Sequence, residues 1–117
     1  MMRSLENRIV PLLKQVVTWL VKGDYFAIEV RSRSIRLSAD MMRQTIEEYG
    51  RSLIVPPDSV FSNLDAIRVA NADMPTLSIR LDLWTIEEGR SDLTLECTVI
   101  DKGGEVFEIE IDGIHVL

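Results

Sequence analysis

The stretch Leu77-Ser78-Ile79-Arg80-Leu81-Asp82-Leu83-Trp84 decides the fold. Apolar side chains occupy the odd positions and polar ones the even positions as far as Asp82, a period of two that belongs to a strand with one covered face. The period returns twice. Leu93, Leu95, Cys97 and Val99 alternate with Thr94, Glu96, Thr98 and Ile100, and Phe107, Ile109 and Ile111 alternate with Glu108, Glu110 and Asp112. Strands of this kind predict a half-covered antiparallel sheet. Ile67 and Val69 suggest a further strand ahead of a turn over Asn71 to Pro75.

Cross-strand neighbours share a face, so paired residue numbers among these strands must have an even sum. A two-residue turn at Lys102-Gly103 would set Cys97 against Glu108 and fails. A three-residue loop, Lys102-Gly103-Gly104, pairs Val99 with Phe107, Cys97 with Ile109 and Leu95 with Ile111. It also puts Gly104 in the left-handed position that such loops favour. In the preceding hairpin a Glu87-Glu88-Gly89 loop pairs Leu83 with Leu93 and Arg80 with Glu96, and a five-residue loop satisfies parity equally. On these registers Glu96 lies between Arg80 and Glu110, with Glu108 and Asp112 extending an acidic line. Glu110 gives a free-standing domain nothing there, so a basic partner is the expected reason for it.

Upstream, the period is helical. Leu5, Ile9, Leu12, Leu13, Val16, Val17, Leu20 and Val21 form a stripe, with Ser4 as its cap and Gly23 as its stop. Pro11 either kinks this helix or sits in the first turn of one that starts near Asn7, and the late start is favoured. Asp24 to Ile28 reads as a further helical turn, and Ile35 and Leu37 as a short extended piece. Ser38 caps a second helix whose Met42, Ile46 and Tyr49 share a face, and Gly50 ends it. Pro56-Pro57-Asp58 breaks the chain, with Asp58 capping a single turn through Val60, Phe61 and Leu64.

The expectation is one α+β domain over residues 1–117, with two N-terminal helices packed on one face of a curved antiparallel sheet of about four strands. Its length matches a common single-domain size, and neither a repeat nor a linker divides it. Cys97 is the only cysteine, which excludes an internal disulfide and a thiolate metal cluster. Glu6, Arg8 and Lys14 interrupt any leader-like apolar run, and Leu12 to Val21 is too short to span a bilayer. The expected setting is cytoplasmic, with no membrane.

Charge is unevenly placed. Residues 1–81 carry 11 basic and 9 acidic side chains, whereas residues 82–117 carry two basic and ten acidic, within a net charge of −6. An acidic C-terminal half argues against nucleic acid and permits a basic protein partner.

No phosphate loop, dinucleotide fingerprint, nucleophile elbow, zinc helix or calcium loop occurs, so no cofactor or metal is expected. His115, the only histidine, would need an orienting group and a pocket to act as a base. A bulge at Gly113 would turn Ile114 and Val116 inward and His115 outward. Cys97 falls within an apolar row and reads as a small buried hydrophobe. Trp84 sits on the nominally polar face beside the charged run Glu87-Glu88-Gly89-Arg90-Ser91-Asp92, a candidate contact surface. Arg31, Arg33 and Arg36 cluster in a connection, where solvation is the ordinary reading and an anion site the other.

A first helix ending at Gly23-Asp24, a second helix and a C-terminal antiparallel sheet resemble the cystatin-like α+β roll, which nuclear transport factor, ketosteroid isomerase and scytalone dehydratase share. The strings running from Leu83 to Glu96 and from Ile111 to Leu117 also resemble a family of short uncharacterised bacterial proteins, which implies no activity. Enzymes of the roll keep acids, tyrosines or histidines on the inner sheet face. Here that face reads Leu77, Ile79, Leu81, Leu83, Leu93, Leu95, Cys97, Val99, Phe107, Ile109 and Ile111, so the resemblance carries no catalytic residue across.

The expected function is a non-enzymatic interaction protein, of accessory or immunity type, that binds a protein partner or a second copy of itself. Arg80, Trp84, Glu87, Glu88, Arg90, Glu96, Glu108 and Glu110 would form the binding surface. The alternative is a small-molecule-binding or enzymatic roll with a pocket between helices and sheet, and Tyr25 or His115 at its mouth.

Overall fold

A computed structural model describes residues 4–116. Met1 to Arg3 of the leader reading and Leu117 of the C-terminal string lie outside the described residues. The elements run α1 (Leu5–Arg8), α2 (Val10–Lys22), α3 (Tyr25–Arg31), α4 (Ala39–Tyr49), β1 (Leu53–Ile54), α5 (Asp58–Ser62), β2 (Asp65–Arg68), β3 (Thr76–Thr85), β4 (Gly89–Asp101) and β5 (Phe107–Val116). The architecture is α+β, with an open antiparallel sheet. β5 forms one edge, β4 and β3 the centre, and β1 and β2 both pair with β3 on its far side.

The first helical stripe is divided into two helices. The favoured start near Asn7 is not seen, because Ser4 caps a short helix from Leu5 and a second begins at Val10. Ser4 Oγ accepts from Asn7 N–H to cap α1, and Pro11 enters the first turn of α2, where its missing donor costs nothing. Gly23 and Gly50 end α2 and α4 with φ +73°, and Ser38 Oγ caps α4 through Met41 N–H. The chain after α3 is not the extended piece expected of Ile35 and Leu37. It is a tight turn in which Arg33, Ser34 and Arg36 take φ of 57°, 57° and 72°. Asp58 opens α5 as its first residue, with Pro57 in the cap position. β2 exists but faces the other way. Its register sets Ala66 beside Ile79 on the core side, and Ile67 is left 67% exposed.

The inner-face residues Leu77, Ile79, Leu81, Leu83, Leu93, Leu95, Cys97, Val99, Ile109 and Ile111 are all buried. They join Leu13, Val16, Val17, Leu20, Ile28, Met42, Ile46 and Phe61 in a single apolar cluster. Burial of that many large side chains, each contributing about 1.5–3 kcal/mol, is the main force holding helices to sheet.

The β3–β4 register agrees with parity over its length: Arg80 pairs with Glu96 and Leu81 with Leu95. It slips near the tip, where Trp84 pairs with Arg90 across a bulge, leaving a loop of Ile86 to Glu88. The β4–β5 register is displaced by two residues from the three-residue-loop expectation, so Val99 meets Ile109 and Cys97 meets Ile111. The loop is longer, with Lys102 N–H donating to Val106 carbonyl at 2.8 Å, and Gly103, Gly104 and Glu105 all left-handed. Parity allows both loops because they differ by two in residue sum. A bulge then intervenes at Asp112-Gly113, which turns Ile114 inward and His115 outward. Val116, anticipated inward with Ile114, is 57% exposed at the end of the sheet.

Candidate functional site

The register change dissolves the acidic line. Glu110 stands across from Thr98, and Glu96 across from Gly113. Each acid has its own cation or donor. Arg33 Nη2 lies 2.9 Å from Glu108 Oε2, and Lys102 Nζ lies 3.7 Å from Glu108 Oε1. Arg36 reaches both Glu110 and Asp112, and Thr98 Oγ1 donates to Asp112 Oδ2 at 2.7 Å. Glu96 Oε1 lies 3.4 Å from Arg80 Nε and 3.2 Å from His115 Nε2. The arginine cluster thus answers the acids of β5, a link that a linear reading had no means of making across more than 70 residues.

Glu87 and Glu88 stay exposed but bond back to the scaffold. Glu87 Oε1 accepts from Ser52 N–H at 2.9 Å, which holds its carboxyl below the ordinary carboxylate value. Glu88 accepts from Tyr49 Oη and Thr85 Oγ1, so the hairpin tip is tied to the end of α4. Burial, then the bond to Glu88, raises the Tyr49 hydroxyl above its ordinary value.

Arg80, Trp84 and Arg90 do share one cleft. They line a cleft of about 400 Å³ whose other wall is Ser59, Val60, Asn63 and Leu64 from α5 and its exit, and Asp65 from β2. The cleft exists because β1 covers β3 only at Trp84 and Thr85, and β2 only from Leu77 to Arg80. The intervening stretch, Leu81 to Leu83, has no strand on that side and pairs only with β4 on the other. Ile86 N–H donates to Ser52 carbonyl and Val69 N–H to Thr76 carbonyl, so even-numbered β3 residues present their backbone to this edge. Asp82 is the even residue in the gap, and its main-chain groups face the cleft.

Trp84 is half-buried, with an indole nitrogen that is fully buried and has no hydrogen-bond partner. A Cβ at Gly89 would stand 3.8 Å from Trp84 Cζ3, so the benzo edge lies over Gly89 and the Nε1 edge turns away from the hairpin. Arg90 is exposed and makes no ion pair among the described residues. Thr94 Oγ1 reaches Asp82 Oδ1 at 3.4 Å. Ser59, Asn63, Asp65, Asp82 and Thr94 were not among the expected site residues. The Pro56-Pro57 break hinted at the excursion that brings α5 there, but the two-residue β1 has no period to read.

Tyr25 and His115 do not share a pocket. Tyr25 packs against the core from α3, and its hydroxyl is raised by burial and by Glu47. His115 stands on the outer sheet face beside Glu96, opposite Thr94. Among the described residues no cluster of His, Cys, Asp and Glu could hold a metal, and no helix is long and apolar enough to cross a membrane.

Residues 17–117 match a family model described as a domain of unknown function, DUF7668. No curated protein and no solved structure matches the chain.

Proposed function

We propose that the chain, which belongs to the DUF7668 family, is a non-enzymatic interaction protein that meets a protein partner at the Arg80–Trp84–Arg90 end of its outer sheet face. The observation that carries this reading is that Arg80, Arg90 and the half-buried Trp84, from two strands, line one open cleft. Arginine and tryptophan are the residue types that dominate binding energy at interfaces. The contact surface is narrower than the sequence implied, because Glu87 and Glu88 serve the hairpin and Glu108 and Glu110 are held by arginines. A cytoplasmic setting fits a chain with one buried thiol, and a bacterial, accessory or immunity-type role completes the proposal. The cystatin-like roll enters as architecture only, helices over a curved sheet, and supplies no activity.

The enzymatic alternative has less support, since Tyr25 and His115 stand on opposite sides of the sheet. The test is crosslinking capture in native cells, followed by binding of the purified partner to wild type and to Arg80→Glu/Arg90→Glu. Lost binding with an unchanged melting temperature supports the proposal. Undiminished binding by the folded double variant removes it. Sedimentation at several concentrations tells whether the partner is a second copy.

A further inference from the structure

We infer that the cleft between α5 and the outer face of β3 and β4 is a carboxylate-binding site, in which Arg90 and Arg80 take a single acidic group beside Trp84. This rests on the interaction reading above and names the chemistry that the cleft recognises.

Arg90 lines the cleft with no acid paired to it among the described residues. Arg80 meets Glu96 through Nε, which leaves its two terminal nitrogens as donors. A planar guanidinium fork matches a carboxylate in two parallel hydrogen bonds. Trp84 lines the same cleft, so its indole supplies an apolar wall beside the acid and an emission that senses it. The Asp82 main chain adds an edge on which a bound peptide could form one strand-like contact.

Charge separates a carboxylate from a phosphate. Asp65 and Asp82 line the same cleft as the two arginines, and the whole chain carries −6. The two arginines and two aspartates cancel, so the cleft holds no excess positive charge. It penalises a doubly charged group more than a singly charged one, and recognition rests on the guanidinium fork. The volume, about 400 Å³, is at the small end of ligand pockets and fits a side chain or chain terminus better than a large cofactor.

The chain has two tryptophans, so Trp19→Phe leaves Trp84 as the sole indole reporter. In that background Trp84 emission is titrated with N-acetyl-alanine, N-acetyl-alaninamide, inorganic phosphate, and a hexapeptide with a free or an amidated terminus. The acids should shift emission saturably, with amide and phosphate at least about tenfold weaker. Arg90→Gln should weaken acid binding about tenfold at unchanged melting temperature, whereas Arg43→Gln on α4 should not. Titration by the small acid points to a free ligand, and titration by the acid-ended peptide alone points to a protein chain as the source. Acid and amide behaving alike, or Arg90→Gln binding as wild type, overturns the inference. If partner capture is still lost on charge reversal in that case, the interaction reading stands without its carboxylate.

Discussion

Arg36 Nη1 lies 3.1 Å from Asp112 Oδ1, and Arg36 Nη2 lies 3.4 Å from Glu110 Oε1, so one guanidinium bridges two acids on the outer face of the edge strand. The Asp112 contact is a charge contact rather than an aligned hydrogen bond, since Oδ1 has no hydrogen-bond partner of good geometry. Arg31 Nη2 donates to Phe107 carbonyl at 2.8 Å, and Arg33 meets Glu108. Together they draw the turn after α3 along β5. A covered or charged edge resists pairing with another chain, which is how sheet proteins avoid edge-to-edge aggregation.

Glu110→Lys therefore should destabilise the fold. A three-residue Lys102–Gly104 loop would set Glu110 against Glu96, where a lysine would relieve repulsion. In the structure, a lysine would face Arg36 from a side chain only 18% exposed. The expected loss is on the order of 1 kcal/mol, seen as a lower melting temperature at low salt and a smaller difference at high salt. Glu110→Lys melting at or above wild type would favour the register that sets Glu110 against Glu96.

Cys97 is fully buried between Ile79 and Ile111, and burial pushes its thiol up to about 12. Thiol reagents should label the native protein far more slowly than the denatured one. The folded pKa lies above the ordinary 9.0, so the linked stability is complete below about pH 9 and is lost as pH rises toward 12. Cys97→Val should flatten that alkaline decline in a series of melts. Equal steepness in both proteins would assign the decline to the raised tyrosines, Tyr25 and Tyr49.

Strand existence and face were legible because β3, β4 and β5 each hold a strict period of two beneath one apolar core. Parity fixed which residues are neighbours only to within steps of two. That is why Arg80–Glu96 was recovered, while Val99 found Ile109 rather than Phe107. The helix caps at Ser4 and Ser38 were legible because capping is local. The ion pairs between Arg33 or Arg36 and β5 were not, since they depend on how a connection lies against a distant edge. The candidate cleft was half legible. Arg80, Trp84 and Arg90 stood on the outer face of two strands, but the wall from α5 came from an excursion with no periodic signal.

Ser34 carries φ +57° with an exposed side chain, in a turn that also holds Arg33 and Arg36 left-handed. A residue with a Cβ pays about 1–2 kcal/mol there, and glycine pays none of it but loses more chain entropy on folding. Ser34→Gly should thus raise stability by up to about 1 kcal/mol, measured by urea unfolding. Arg36→Gly should lower it, because the same relief is outweighed by losing Asp112 and Glu110. Destabilisation by Ser34→Gly would mean that the hydroxyl, rather than the backbone, matters in the turn.

Ser91 supplies the last prediction. At the β3–β4 bulge, Leu83 and Leu93 fall at positions that an unbroken register would join, but the extra residues on β4 separate them. The Ser91 hydroxyl takes the place of that missing bond. Its Oγ donates to Leu83 carbonyl at 2.7 Å and accepts from Leu93 N–H at 3.2 Å, and both contacts are buried. Ser91→Ala removes the hydroxyl that serves both bonds and leaves two main-chain groups unsatisfied, each costing about 1–3 kcal/mol unless water enters. The expected loss is about 2–3 kcal/mol by urea unfolding, large for a substitution that deletes one oxygen. Ser62→Ala removes an exposed hydroxyl that donates to Asp58 carbonyl, and it should change stability by no more than about 0.5 kcal/mol. A loss for Ser91→Ala no greater than for Ser62→Ala would show that the bulge does not depend on the side-chain bridge. A full loss would identify Ser91 as the residue that lets the hairpin bulge, and so lets Trp84 and Arg90 stand side by side at the cleft.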